Sequence, residues 1–480
     1  MRRITLVSML CLIAVSSWPS PLRAQEPERR PSPSFAPAPA DPDSAPCFDC
    51  DPRRKYFGLA SAQLVGAMLV PWSINKFVRD EEFANVNPGT WWDNLTGEWV
   101  WDDNSFPTNQ FAHPYHGSLY FNAFRANGYD FWSSSIASAT GAFLWECCGE
   151  TNPIAPNDLI NTAVGGISLG EMLYRLSSLV LDNTATGSER TFREIGGFVV
   201  NPQRGAARLF QGTINDVGPN GPERYPSWLG GALDLGYQSI EGTSPKDTSA
   251  SGGLIRFDYR YGHPVADMAG RPFSTFAFEL NLITDGASPR IEEAFTHGSL
   301  AGRLLGDPDG PHRHALGAML NYDYSNNPAY EVGMQSLTGG VLSDWQLSSR
   351  VGLHTEALAR GILLAGIKSP EYVVTGEGRD YDYGPGGGAR LDATLKVRGI
   401  GSLRAGYEAN WIKTVDGTDS DHVLERALVR ARVLITERIG VGVGWKGRRI
   451  HSHYASYPDE VQKVSEYRAF VSLAVPRWNY

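Results

Sequence analysis

The stretch Leu254–Tyr261, LIRFDYRY, decides the fold. Ile255, Phe257, Tyr259 and Tyr261 alternate with Arg256, Asp258 and Arg260, so an extended chain puts its apolar side chains on one face and its charges on the other. The same period of two recurs where Phe276, Phe278, Leu280 and Leu282 face away from Glu279 and Asn281. It recurs again where Leu391, Ala393, Leu395 and Val397 oppose Arg390, Asp392, Lys396 and Arg398. A further copy sets Leu403, Ala405, Tyr407, Ala409 and Trp411 against Arg404, Glu408 and Asn410. Each segment reads as a strand with one apolar and one charged face.

Candidate strands begin near 228, 251, 272, 291, 312, 330, 345, 389, 402, 421, 439 and 466, an even number, although those near 291 and 330 alternate poorly. They share the residues from 228 to 480 at about 21 each, which suits membrane strands of ~9–11 residues joined by turns. A soluble β-sandwich also alternates, but seldom with so many consecutive long strands carrying Arg and Glu on the face opposite the apolar one. The chain ends in Tyr480, as outer-membrane strands often end in an aromatic, with Pro476 close before it.

Outside the strands, composition sets limits. The 480 residues hold 43 Lys+Arg against 52 Asp+Glu, a net charge of -9, with 42% hydrophobic content. Those totals exclude a disordered chain, a collagen-like repeat and a polytopic helical membrane protein. No basic stripe matches a phosphate backbone, so no nucleic-acid partner is expected. Arg2 and Arg3, an apolar core from Ile4 to Val15, and Leu22-Arg23-Ala24 read as a cleaved secretory signal over residues 1–24. Cys11 lies in that core without a lipoprotein context.

Residues 25–54, rich in Pro, Ala, Ser and charge, cannot bury enough surface to fold and read as a flexible tether. Within it Cys47 and Cys50 form a C-x-x-C that suits a small disulfide or an incidental role in an exported chain, better than a redox pair or half a zinc site. Tyr56 to Asn75 carries no charge and is long enough for a membrane helix, yet Gln63, Ser61, Ser73, Asn75 and Pro71 dilute it; a helix on a protein surface is expected. Trp91, Trp92, Trp99, Trp101 and Trp132 among Asp93, Glu98, Asp102 and Asp103 suit a membrane interface, a sugar face or a packed core.

Two helices are predicted over Phe131–Gly149 and Asn157–Leu181, with Asn157 or Asp158 capping the second. Ala137 and Gly141 on the first, Gly166 and Gly170 on the second, predict a tight helical hairpin. The adjacent Cys147 and Cys148 are expected to pack on a helix.

Two sets of residues could carry chemistry. The inward-facing charges are Arg256, Arg260, Arg350, Arg390, Lys396, Arg398, Arg404, Arg426, Arg430 and Arg432 with Asp234, Asp258, Glu279, Asp323, Glu356, Asp392 and Glu408. They predict either a lattice of ion pairs filling a narrow barrel or a basic-leaning conduit. In the helical segment, Glu146 and Glu150 lie four apart, where two carboxylates on one helical face could bind a cation or share a proton. Glu171 and Arg175 have the spacing of an intrahelical pair. His113, His116, Glu146, Glu150 and Asp158 are the catalytic candidates, although no H-E-x-x-H, G-x-S-x-G, P-loop or dinucleotide fingerprint occurs, and no cofactor or metal is expected.

The segments HPYHGSLYFNAFRANGYDFW from His113, LWECCGETNPIAPNDLINTAVGGISLGEMLYRLS from Leu144 and NPQRGAARL from Asn201 resemble the bacterial domain-of-unknown-function 3943 family over about residues 100–212. The resemblance implies an exported Gram-negative outer-membrane protein of uncharacterised biochemical role. It points to His113, Pro114, Tyr115, Gly117, Tyr120, Arg125, Gly128, Trp132, Glu146, Glu150, Asn157, Asp158, Thr162, Gly166, Glu171 and Arg175, without assigning any of them a role.

The expected fold is therefore α+β: signal peptide 1–24, tether 25–54, a helical module with the hairpin over 55–212, and an antiparallel transmembrane β-barrel of about 12 strands over 213–480. The module is expected at the periplasmic end of the barrel. The expected function is that of an outer-membrane barrel with a structural, transport or envelope-maintenance role, its partner the outer-membrane lipid and any periplasmic partner left open. The alternative is an envelope hydrolase acting on lipid or glycan through a His/Glu site in the helical module.

Overall fold

Twelve antiparallel strands close on themselves, each hydrogen-bonded to its sequence neighbours and β1 to β12. They are β1 (Leu229–Thr243), β2 (Thr248–Tyr261), β3 (Phe276–Thr284), β4 (Arg290–Leu305), β5 (His312–Asn327), β6 (Tyr330–Gln346), β7 (Val351–Lys368), β8 (Tyr381–Val397), β9 (Gly401–Lys413), β10 (Ser420–Leu434), β11 (Ile439–Tyr454) and β12 (Glu460–Ala474). The computed structural model describes residues 54–243, 248–284, 289–307, 310–327, 329–368 and 378–474. The expected signal, the tether up to residue 53 with Cys47 and Cys50, and the closing stretch with Pro476 and Tyr480 lie outside the described residues.

The alternation of LIRFDYRY is realised. Arg256 meets Asp234 inside the barrel, while Tyr261 on the opposite face takes a hydrogen bond from Arg175 of the helical module. The weak alternation near 291 and 330 has a physical origin, since the register slips between Asn281 and Leu282, Ser299 and Ala301, Gln335 and Ser336, and Ile362 and Ala365. Each slip turns the following side chains to the other face and breaks a period-two pattern.

The helices are α1 (Phe57–Ile74), α2 (Pro88–Thr96), α3 (His113–Arg125), α4 (Phe131–Cys148), α5 (Pro156–Ile160), α6 (Gly166–Val180), α7 (Gly187–Val200) and α8 (Pro202–Phe210). A π-helical turn, Asn161–Gly165, joins α5 to α6, so one continuous helix runs from Pro156 to Val180. The Asp130 carboxylate caps α4 by accepting the Ser133 N–H at 2.7 Å. Ala155, followed by Pro156, stands at the start of α5, where Asn157 or Asp158 was expected; the ring of Pro156 fixes the first helical φ and leaves both polar side chains free to turn inward.

The predicted hairpin is replaced by a three-helix sandwich. Gly141 of α4 packs on the ring of Tyr120, while Gly166 and Gly170 pack on Gly117 and Phe121, all on α3. The small-residue stripes thus grip a helix between them, not each other.

The module lies along the outer wall of the barrel, not at its end. The helix from Pro156 to Val180 meets Tyr383 and Gln335 where β8 and β6 begin, and its last turns reach Tyr261 and Pro272 at the opposite end of β2. Tyr261, Phe276, Tyr322, Tyr324, Leu364, Tyr381 and Tyr383 point outward from the wall and are buried beneath the helices with Phe121, Phe131, Leu169 and Met172. Arg125 and Arg175 converge on the buried Glu171 at 2.8 and 2.9 Å, and Arg175 also donates to Pro272 O, tying α3 and α6 to the barrel. Beyond α6, partial burial pushes the Asp182 carboxyl up, but hydrogen bonds from Thr184 and Asn220 and the charge of Arg224 outweigh it and hold it down at about 2.

Candidate functional site

The barrel interior is filled. At the end where β1 starts and β12 stops, Val265 and Met268 from the turn after β2 tuck against Ala315, Met319, Leu342 and Leu358. At the other end Ile240, Val332, Met334, Ile362, Ile412, Leu424, Ile450 and Val464 make an apolar layer. Charges occupy the middle and are paired: Arg404 with Asp392 at 2.9 Å, Arg426 with Glu408 at 2.8 Å, Arg430 with Asp258 at 3.0 Å, Arg390 with Glu356 at 3.5 Å and Arg432 with Asp234 at 3.2 Å. Arg260 approaches Glu356 at 3.8 Å, Glu279 lies 3.4 Å from Arg430, and Asp323 meets His297 at 2.8 Å.

Sequence reading missed the densest knot, where Glu293 and Glu466 hold Lys446, Arg448 and Arg468. Its members sit among small and apolar neighbours that blur the period. Arg350 and Arg398, expected inside, lie exposed in the turns after β6 and β8, because each follows the last inward position of its strand. A cavity of about 80 Å³ remains among Asp258, Arg260, Glu279, Glu356, Arg390, Arg404, Arg426 and Arg430. It has room for roughly five to eight waters at ~10–15 Å³ each.

The second site lies between the module and the wall. His113 opens α3, Glu146 stands in the last turn of α4 and Asp158 in the first turn of α5, and one ligand atom from each falls within 4.8 Å of the others. His113 Nε2 is 3.8 Å from Asp158 Oδ1, while its Nδ1 lies 3.1 Å from Thr162 Oγ1. Glu146 Oε2 accepts the Ala155 N–H at 3.0 Å, and Asp158 Oδ1 accepts from Asn157 Nδ2 at 2.8 Å. Glu146 and Asp158 are only 1% and 2% exposed.

Barrel side chains close the site from below. Asn157 also donates to the Tyr383 hydroxyl at 3.2 Å, Asn109 to the Tyr381 hydroxyl at 2.8 Å, and the Tyr322 hydroxyl donates to Gln110 O at 2.7 Å. Gln335 donates to Asn161 at 2.9 Å.

Two of the five catalytic candidates fall away from this cluster. His116 bonds the carbonyl of Ala67 at 2.9 Å and packs between Tyr120 and Trp145. Glu150 does not share a helical face with Glu146, because α4 ends at Cys148 and Gly149 turns the chain. Cys147 and Cys148, at that helix end, are joined as a vicinal disulfide. Trp132 is exposed on α4, whereas the Trp101 ring lies tilted against Tyr383, 5.3 Å between centroids. Sequence reading did not find Asn109, Gln110, Tyr381 or Tyr383; the two tyrosines lie ahead of the candidate strand near 389.

Over residues 98–203 the chain matches the family described as "Domain of unknown function (DUF3943)", which bears out the resemblance read from the helical segment. That match contains His113, Glu146, Asp158 and Thr162. The amino-acid sequence matches no curated protein. Among solved structures, the NanC porin is similar over 51% of this chain and 100% of its own, at 10% identity and a TM-score of 0.28. The outer-membrane channel DcaP of Acinetobacter baumannii is similar over 52% of this chain and 96% of its own, at 10% identity and a TM-score of 0.24.

Proposed function

We propose that this is an outer-membrane protein in which a filled barrel anchors a lipid-facing helical bundle, so that its work is done at the barrel wall and not through the lumen. The observation that carries the reading is the lumen itself, an ion-pair lattice between two apolar layers. Membrane insertion is supported strand by strand on the wall the helices leave bare. On β11 the outward side chains run Ile439, Val441, Val443 and Trp445 before Arg449, and on β12 Leu473, Val471 and Tyr467 come before Lys463. On β9 Leu403, Tyr407 and Trp411 precede Lys413. An apolar run closed by an aromatic and then by charge is the profile of a strand leaving a bilayer.

The module continues that belt. Leu69, Val70 and Ile74 on α1, Trp132, Ile136 and Phe143 on α4, and Phe192, Ile195 and Phe198 on α7 are exposed. Among the described residues α1 with its following turn, Phe57–Arg79, is the helix long and apolar enough to cross a membrane, and Lys55 and Lys76 flank its apolar stretch. Outer-membrane lipid therefore surrounds barrel and helices alike. In planar lipid bilayers the purified protein is expected to give no steady current above the bare-membrane baseline; a sustained anion-preferring current would overturn the closed-barrel reading.

A second reading, an envelope hydrolase, is favoured by the convergence of His113, Glu146 and Asp158. Lipid profiles of cells carrying the double variant E146Q/D158N test it. A shifted acyl or headgroup pattern with the protein still folded supports hydrolysis, and an unchanged pattern removes it.

A further inference from the structure

We propose that His113, Glu146 and Asp158 form a binding site for one divalent transition-metal ion, with zinc the ion whose donor preferences they fit best. The three ligand atoms come from the ends of three helices and lie within 4.8 Å of one another. A tetrahedral shell with bonds of ~2.0–2.1 Å separates its ligands by about 3.3 Å, so an ion would draw the three atoms in by roughly an ångström or somewhat more.

Charge is the first argument. Among the described residues no Lys or Arg forms an ion pair with Glu146 or Asp158; Asp158 is approached by His113 alone, at 3.8 Å. Arg379, whose charge reaches Asp158 without an ion pair to it, bonds Asp416 at 2.5 Å. Two carboxylates shut away side by side cannot both stay ionised without a cation, and must otherwise hold a proton.

Orientation is the second. A metal-binding imidazole is normally fixed through its other nitrogen, and Thr162 stands 3.1 Å from His113 Nδ1, leaving Nε2 turned toward Asp158. The Ala155 N–H and the Asn157 amide likewise hold one oxygen of each carboxylate. These bonds are what a preformed site requires and what a loose polar contact lacks.

The group offers three ligands, the number found in catalytic zinc sites, where the fourth position takes water or a substrate oxygen. This assignment does not depend on the closed lumen: conductance tests that reading, and metal content tests this one. A second cluster, His451, His453 and Asp459, lies at the exposed rim of the barrel and serves as the control.

The test uses the full chain, purified in detergent without a polyhistidine tag, equilibrated with zinc chloride and freed of excess ion. About one zinc per chain is expected by elemental analysis, together with a thermal unfolding midpoint several degrees higher with zinc than with EDTA. Both effects should vanish in E146Q and in D158N and persist in H453A. Should either carboxylate variant fold poorly, H113Q, which keeps an amide at the imidazole position, provides the same comparison. A wild-type protein that retains no zinc, a shift that survives in E146Q and D158N, or a shift lost in H453A would each overturn the assignment.

Discussion

Replacing Glu293 with alanine is expected to destabilise the barrel by about 3–5 kcal/mol, the range for removing one partner from a buried ion pair. Glu293 is fully buried and accepts Lys446 Nζ at 2.6 Å, Arg448, and Arg468 Nη2 at 3.2 Å. Without it, three cations that cannot reach bulk water are left with Glu466 and Glu292 as their carboxylates. Attraction inside the lumen thus becomes uncompensated repulsion among Lys446, Arg448 and Arg468, at positions where β11 and β12 are already held by their backbone ladder. The contrasting case is E425A on the outer face, where Glu425 pairs with Arg449 in solvent-exposed surroundings. Pairs of that kind contribute ~0–1 kcal/mol. Urea unfolding in detergent, followed by tryptophan fluorescence, separates the two. Equal midpoints for E293A and E425A would mean that the lattice does not hold the barrel. E293A should also stay silent in planar bilayers, because the apolar layers of Ile240 and Val464 at one end and Val265 and Met268 at the other remain in place.

The barrel was legible in the sequence because a membrane strand is read twice, by lipid on one face and by paired charges on the other, and LIRFDYRY carries both signals. Legibility failed where a second element replaces lipid. Tyr322, Tyr324, Tyr381 and Tyr383 have the character of lipid-facing aromatics, and nothing local tells a tyrosine under acyl chains from one that takes a hydrogen bond from Asn109 or Asn157. The position of the helical module was therefore not recoverable from pattern alone.

The candidate site was legible in composition but not in geometry. His113, Glu146 and Asp158 stand out as polar residues in apolar helices, and they are the three that meet. Glu150 was drawn in by the i, i+4 rule, which assumes that the helix continues past Gly149. Thr162 was named through the family resemblance alone, since a threonine that orients a ring from 49 residues away leaves no spacing signal.

Gly117→Ala is expected to be among the most disruptive single-methyl changes in the module, with a loss above ~3 kcal/mol, at or beyond the top of the usual range for an overpacked core. A Cβ built at Gly117 would lie 1.7 Å from the carbonyl oxygen of Thr162 and 3.0 Å from the Cα of Gly166. Both obstacles are backbone, so no side chain can rotate away, and α3 must move off the helix that begins at Pro156. That movement breaks the bonds that bind the helices together, Asn122 to Gly170 O at 3.0 Å and Ser138 to Gly117 O at 3.2 Å. It also carries His113 away from Thr162 and Asp158, so the zinc uptake proposed above should fall with it. Where lipid replaces water there is little hydrophobic drive to push separated helices back together, and close backbone contact through small residues is the main attraction lost. Gly66→Ala on α1 is the matched control: nothing lies within 4 Å of its Cβ, and alanine inside a helix is favoured over glycine by ~0.5–1 kcal/mol. Limited proteolysis of the detergent-solubilised protein should therefore release the module readily in G117A and no faster than wild type in G66A, while the barrel keeps its heat-dependent gel mobility in both. If G117A resists protease as well as G66A does, α3 and the Pro156–Val180 helix do not touch through their backbones, and the site that depends on that contact is not assembled as described.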